Sequence, residues 1–331
     1  MASNTSDDDY APIASWSNLR LRAGLLRRLR RFFDDRGFLE VETPLLSHDT
    51  VVDRHLDPLP VKVFDNPAAP DRGPTMWLQT SPEFGMKRLM AAGGEAIYQV
   101  TRSFRGGERG RLHNVEFTMV EWYRRGDSMQ AGIELLSDMA EHLLALGPAE
   151  TISYREAFIR HAGIDPLTAE PSALARAARN RGLSLPQSVP ETDRDAWLDL
   201  MLVECVEPYL GRDRPTILYD YPASQAALAV VRDEDPPVAE RFELYVRGIE
   251  LANGYHELTD PEILRQRIAV SNRQRESDGK YRLPEANRLL TAMEHGLPAC
   301  SGVALGFDRL VMVAAGAENL DEVMAFPGER A

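Results

Sequence analysis

The sequence predicts an α+β fold: a mainly antiparallel sheet flanked by helices, with a helical insertion. Three observations carry that prediction. Short runs of strand character at 76–80, 96–105, 116–123, 216–221, 241–251 and 302–307 are separated by irregular polar loops rather than by regularly alternating helices. Helical periodicity gathers into long stretches at 17–37, 128–146, 261–277 and 285–295, and recurs with short loops from 152 to about 210. The 331 residues are 44% hydrophobic and 27% charged, enough core material for an undivided domain of this class.

In chain order, residues 1–16 open acidic and polar, unlike a secretory or transit leader, and are expected to form a disordered tail before a single domain over 17–331. The helix over 17–37 takes Ser17 or Asn18 as its cap and sets Leu21, Leu25, Leu29 and Phe32 on one face. Six arginines from Arg20 to Arg31 cover much of the rest, read first as a solvated face and second as a subunit or partner contact, and Gly37 stops the helix. Residues 38–46 are extended up to the Pro44 region, and a loop rich in Pro, Asp and Gly continues to 74. The strand at 76–80 leads through Ser81-Pro82-Glu83 into a helix over 84–92. Strands at 96–105 and 116–123 enclose a polar turn, a helix over 128–146 stops near Gly147-Pro148, and the insertion occupies about 152–210. After the strand at 302–307 a last helix starts near Asp308.

Composition removes several classes of function. With 51 acidic against 38 basic side chains the formal charge is −13, which disfavours a long nucleic-acid surface, since phosphate neutralisation supplies most of such affinity. No apolar run reaches the ~18–20 residues of a membrane span, so no membrane association is expected and a cytoplasmic location is the default. Cys205 and Cys300 are the only cysteines and form no CxxC, which excludes a zinc ribbon or disulfide scaffold. The seven histidines form no HxxxH or HExxH pair, and no GxSxG or Walker sequence is present.

Three segments could carry chemistry. Arg102 to Arg111 runs from a strand into an Arg- and Gly-rich turn, where guanidinium forks suit phosphate and glycines permit close approach of a ligand. Gly248 to Glu257 places Glu250 and Glu257 around Asn253-Gly254, a pair of carboxylates able to hold Mg²⁺ or a substrate ammonium. Strict strand alternation would set Glu250 and Glu257 on opposite faces, so a shared site requires a bulge or bend between them. Ser301 to Met312 combines small strand residues with a following helix N-terminus and Arg309, a combination suited to a polyphosphate. Each has a plainer structural reading: a solvated hairpin, a hairpin turning at Asn253-Gly254, and an ordinary strand–helix junction. Their co-occurrence in one chain is what raises them above it.

Taken in order, these segments resemble the signature motifs of class II aminoacyl-tRNA synthetases. Arg36-Gly37-Phe38 through Val41 to Pro44-Leu45-Leu46 resembles motif 1, Phe104-Arg105 through His113-Asn114 to Glu116-Phe117 resembles motif 2, and Gly302 to Arg309 resembles motif 3. The blocks Thr80 to Glu83 with Lys87-Arg88-Leu89, Glu116 to Met119, and Gly248 to Asp260 look like the lysyl branch. Two features depart from lysyl-tRNA synthetases: motif 1 begins with no anticodon-binding OB segment before it, and Ala304 stands where those enzymes carry glycine. With YDYPASQAALA at 219–229 and Glu121-Trp122-Tyr123, the chain is similar to the elongation factor P–(R)-β-lysine ligases, truncated paralogues of the lysyl enzymes.

That resemblance, covering about 17 to 325, implies a class II catalytic core. It also implies a homodimer built through motif 1. The activity implied is ATP-dependent formation of a β-lysyl-adenylate and its transfer to a lysine ε-amine of elongation factor P, without tRNA. Arg105 and Arg309 would be the catalytic cations on the α- and γ-phosphates, and Phe117 would stack on adenine. Gly106, Gly107, Glu108, Asn114, Glu250, Leu251 and Gly306 would complete the ATP site, and Glu250 with Glu257 would gather Mg²⁺. Ser81, Pro82, Glu83, Tyr123, Glu257 and Ala304 would face the amino-acid substrate. Motif 2 usually reads Arg-x-Glu, whereas here Gly106-Gly107 separates Arg105 from Glu108, and Val115 stands where proline is common. Either a re-registered turn lets Glu108 recover the adenine contact or a backbone group replaces it. The alternatives are a minimal enzyme activating α-lysine for RNA, a truncated asparagine-synthetase-like enzyme, and an inactive homologue serving as a regulatory subunit. Ala304, the charge and the absent OB segment oppose the first, the lysyl-type blocks oppose the second, and the presence of Arg105, Arg309, Glu250 and Glu257 opposes the third.

Overall fold

The computed structural model describes residues 10–187 and 189–331, which form an α+β protein of two compact units. One unit comprises the chain up to Tyr123 with Asp260–Leu297 and Leu305–Ala331; the other comprises Arg124–Thr259 and Pro298–Ala304.

The first unit is organised around the helix Trp16–Asp34, which buries Leu25, Leu29, Phe32 and Phe33. Ser15 caps it, its hydroxyl accepting from Asn18 N at 3.2 Å, two residues ahead of the predicted Ser17 because Ser15 is the last residue with extended backbone. Phe33 stacks on Tyr98 at 4.5 Å and lies 5.3 Å from Trp122, so the helix is held by aromatic burial worth about 1.5–3 kcal/mol per side chain. Of the expected tail, residues 1–9 lie outside the described residues; Ile13 N and Ala14 N donate to the carbonyls of Ala325 and Met324, and Ala14 is buried. The arginine face is not uniformly solvated either. Arg22 turns inward, and Arg30 pairs with Glu40 at 3.0 Å.

The strands of this unit run in the order Leu39–Glu40, Ala96–Phe104, Glu116–Arg125, the first pair parallel. Residues 47–74, expected to be loop throughout, contribute Pro60–Lys62 to a small antiparallel sheet with Leu46–Ser47 and Thr75–Leu78. Helices Glu83–Ala91, Pro261–Ser277, Asn287–Gly296 and Phe307–Ala315 complete the unit.

In the second unit the order is Cys300–Gly306, Ile249–His256, Val238–Val246, Thr216–Pro222, Glu150–Ser153, with the last pair parallel. The region from 152 to 210 opens as the end of that edge strand and then holds Tyr154–Ala162, Pro171–Arg179, Arg194–Met201 and a π-helical turn over Leu202–Val206. Tyr154, Phe158, Trp197 and Leu198 form the centre of its apolar cluster.

The stretch 241–251, expected as one strand, is instead a hairpin: Val238–Val246 and Ile249–His256 join at Arg247-Gly248, whose φ values of 55° and 71° suit a two-residue turn. Asn253-Gly254 is therefore not the turn. Gly254 lies within the strand opposite Phe242, where a Cβ would come 2.5 Å from the Phe242 ring and 2.9 Å from Val303 Cγ2. The glycine is there for space.

Candidate active site

Arg105 follows directly on the strand Ala96–Phe104. Its amide donates to the Val115 carbonyl at 2.9 Å, and its guanidinium lies 5.1 Å from the centroid of Phe117. Arg105 Nε is buried and donates to no group among the described residues; the nearest carboxylate, Glu108, is 4.0 Å from Nη1, at the limit of an ion pair. A buried cationic donor left without a partner costs stability unless a ligand anion completes it. Glu108 therefore stands beside Arg105 despite the two intervening glycines. Asn114 is buried and its amide is oriented at both ends, Nδ2 donating to Glu116 O at 2.7 Å and Oδ1 accepting from Gly328 N at 3.1 Å.

Gly306 is the N-cap of the helix Phe307–Ala315 and supplies no side-chain cap, so the first-turn amides keep their capacity for an anion. Asp308 turns inward, accepting from Thr118 N at 2.6 Å and pairing with Arg22 at 2.5 Å. Arg309 turns the other way: Nη2 donates to His113 Nε2 at 2.8 Å and Nε to Leu112 O at 3.2 Å. Burial first, and then the Arg309 charge, pushes His113 below the ordinary imidazole range, so the neutral ring presents an acceptor to the guanidinium. Arg22, His113, Thr118 and Asp308 were not singled out from sequence as site residues. Each acts on Arg309 or its helix across nearly 200 or more positions or through a side-chain acceptor, which no local pattern reveals.

A second group on this unit is acidic. Alternation along Glu116–Arg125 sends Trp122 toward Phe33 and puts Glu121 and Tyr123 on the other face. Glu121 is fully buried and accepts from Ser81 Oγ at 2.6 Å and from Tyr123 OH at 2.9 Å. Ser81 Oγ also accepts from Glu83 N at 3.0 Å, and Pro82 caps the helix that carries Glu83. One turn on, buried Lys87 pairs with Glu83. Burial, and then the nearby Glu83 charge, push Glu121 up to about 8. Ser81, Glu83 and Tyr123 thus converge with Glu121, which the sequence alone marks only as part of the Glu121-Trp122-Tyr123 block.

The second unit carries Glu250, Leu251, Glu257 and Ala304. Register along the hairpin passes from Tyr245 opposite Glu250 to Leu244 opposite Ala252, so Leu251 is the extra residue of a bulge. The bulge reverses the alternation and brings Glu250 to the face of Asn253, Tyr255 and Glu257. Glu257 is buried, with its amide on Cys300 O at 3.0 Å and an isolated bridge to Ala229. Behind it, Glu243 accepts from Tyr221 OH at 2.5 Å, Tyr245 OH at 2.6 Å and Arg241 Nη2 at 2.6 Å, while Arg241 Nη1 holds Gln225 O at 2.8 Å. Ala304 sits half-buried on its strand between buried Val303 and Leu305. No group of three or more His, Cys, Asp or Glu able to hold a metal occurs among the described residues. Two carboxylates on one face nevertheless fit Mg²⁺, which usually takes one or two from protein and the rest from phosphate and water.

The first unit thus carries an arginine-bearing turn after one strand and an arginine at the start of a helix, and the second carries a carboxylate pair on a bulged strand. The family model described as tRNA synthetases class II (D, K and N) matches residues 14–330, and the chain belongs to that family. It is 50% identical over 331 residues, the whole of both chains, to the elongation factor P–(R)-β-lysine ligase of Yersinia enterocolitica. It is 48% identical over 324 residues, 98% of each chain, to that of Hamiltonella defensa, and 50% identical over 327 residues, 99% of each, to that of Yersinia pestis. Among the described residues no helix is long and apolar enough to cross a membrane.

Proposed function

We propose that this protein activates (R)-β-lysine with ATP and transfers it to the ε-amine of a lysine on elongation factor P. The observation that carries this reading is the end-to-end correspondence, at 48–50% identity, with ligases of that name. The unpartnered Arg105 donor and the buried acidic group around Glu121 support it chemically.

In the first step a carboxylate oxygen of the amino acid attacks the α-phosphorus, the bond to the bridging oxygen breaks, and diphosphate leaves with the electron pair. Arg105 meets the charge that develops on the α-phosphate, where a fixed donor is worth most. Arg309, oriented by His113, holds the γ-phosphate, and Phe117 stacks on adenine, with Asn114, Gly306 and the 106–108 turn around the nucleotide. Mg²⁺, when bound by Glu250 and Glu257, neutralises phosphate charge. Glu83, Glu121 and Tyr123 accept hydrogen bonds from the substrate amines, and the Ser81-Pro82 turn sets Glu83 and Glu121 in place. In the second step a neutral lysine amine attacks the acyl carbon, AMP leaves with the electron pair, and the new amide nitrogen loses a proton. Protein rather than RNA as acceptor agrees with the formal charge of −13.

ATP–pyrophosphate exchange without acceptor tests the reading: it is expected with (R)-β-lysine, followed by a β-lysyl mass increment on elongation factor P. Faster exchange with α-lysine would replace it by the α-lysine reading, and no exchange by the inactive-homologue reading. Ala304, in place of a glycine, crowds the position an α-amine would take. Ala304→Gly is therefore expected to raise α-lysine activation relative to β-lysine by roughly 10–200-fold, the range a methyl contact supports; unchanged discrimination in exchange assays would remove this role. We also read the chain as a cytoplasmic homodimer through motif 1. Light scattering at micromolar concentration should give twice the 37.0 kDa chain mass, and a monomeric mass would contradict the dimer.

A further inference from the structure

The Gly106-Gly107 departure leaves Arg105 beside the two most conformationally free residues in the turn, yet Arg105 needs one position. The structure contains a device outside the turn that can supply it. Arg275 is fully buried near the end of the helix Pro261–Ser277; its Nη1 donates to the carbonyls of Asp53 at 3.0 Å and Leu56 at 2.8 Å, and its Nη2 to Asp57 Oδ1 at 2.9 Å. Lys280 Nζ donates to Asp57 Oδ2 at 2.8 Å, and Tyr281 OH to the Pro58 carbonyl at 2.7 Å. Burial pushes the Asp57 carboxyl up, but the hydrogen bonds from Lys280 and Arg275 outweigh it and hold the group below the usual carboxylate range. Thus clamped, Asp57 offers its carbonyl to Gly106 N at 2.7 Å. A Cβ on Gly106 would stand 3.2 Å from Asp57 O and 3.3 Å from Leu59 Cδ2, so a side chain there would push this contact apart by a few tenths of an ångström.

We infer that Asp57, clamped by Arg275 and Lys280, is a positioning residue for Arg105, fixing through the Gly106 amide the turn that presents the guanidinium to ATP. The inference rests on the reading of Arg105 as the phosphate-binding cation. The clamp belongs to segments about 50 and 170 residues away in sequence and acts at Gly106, whereas the bonds within the turn are made at Arg105 N to Val115 O and between Gly110 and His113.

The test uses the full chain in ATP–pyrophosphate exchange, with KM measured separately for ATP and for (R)-β-lysine. Lys280 is partly exposed, so Lys280→Met removes one arm of the clamp without emptying a buried site. The expected result is a five- to tenfold rise in KM for ATP, KM for the amino acid within twofold of wild type, an unchanged melting temperature, and recovery in Lys280→Arg. Gly106→Ala, which wedges the contact apart from the other side, should reproduce the ATP effect. An unchanged KM for ATP in both Lys280→Met and Gly106→Ala would overturn the inference, as would equal rises in both KM values accompanied by a lowered melting temperature. Arg105→Ala run alongside separates the two levels: if it too leaves exchange intact, the phosphate role of Arg105 has failed; if it abolishes exchange while the clamp variants do nothing, only the clamp has failed.

Discussion

Arg105→Ala should lower kcat/KM for ATP–pyrophosphate exchange by roughly a hundred- to a thousandfold, the range seen when one preorganised donor to a developing oxyanion is removed. The direction follows from the local state of the side chain. Among the described residues its Nε is buried without a partner and the nearest carboxylate, Glu108, is 4.0 Å away, so the protein gains little from the guanidinium itself. Melting temperature should therefore stay level or rise slightly while activity collapses. Arg105→Lys should recover little, because an ammonium cannot reproduce the planar fork that grips phosphate oxygens. A variant that kept exchange within threefold of wild type would show that the α-phosphate is held by another group.

Glu121→Gln is the second large effect, and it is expected to act oppositely on activity and stability. Glutamine keeps the shape and can accept from Ser81 and Tyr123, but it lacks the negative charge that would bind an ammonium. KM for the amino acid should rise by roughly ten- to a hundredfold, in line with loss of a buried charge-assisted hydrogen bond. The wild-type group titrates near 8 when folded, against 4.5 for its unperturbed value. Between those pH values the folded chain must hold a proton that the unfolded chain releases, so this carboxyl erodes stability progressively as pH rises from about 4.5 to about 8. The gain from Glu121→Gln should thus be absent near pH 4 and largest near pH 8, on the order of a few kcal/mol at most. In the same window, substrate affinity of the wild type should improve as pH rises toward 8, and that of the variant should not. Denaturant melts at the two pH values, with KM profiles beside them, check both halves. A variant less stable at pH 8 would mean that Glu121 is ionised and well paired.

The charge on Glu121 shows why half of the candidate site could be read from the chain and half could not. Arg105, Arg309, Glu250 and Glu257 announce themselves because arginines beside glycines and carboxylates around Asn-Gly are unusual local patterns. Glu121 lies in an apolar strand where one acid looks incidental; only its burial, and then the charge of Glu83 about 40 residues earlier, turn it into a titrating group near neutrality, against the opposing hydrogen bonds from Ser81 and Tyr123. The same holds for Arg22. One arginine among six on a helix looks solvated until Asp308 and Thr118 are brought to it from the other end of the chain.

The hairpin makes the same point about backbone. Asn253-Gly254 has the strongest turn signature in its segment, yet the chain turns at Arg247-Gly248, since Gly254 is needed under the Phe242 ring. Tertiary crowding overrode local turn preference, and the resulting bulge at Leu251 met the condition for Glu250 and Glu257 to share a face. By itself, the sequence determined the fold class and the principal helices and strands, and it singled out the candidate cations and acids of the site, because periodicity and residue chemistry are local properties. Only the tertiary structure decided which arginines are paired, which carboxyl keeps its proton, where the hairpin turns and what steadies the Arg105 turn. Those depend on burial and on partners tens to hundreds of residues away, and neither is written in any single stretch of chain.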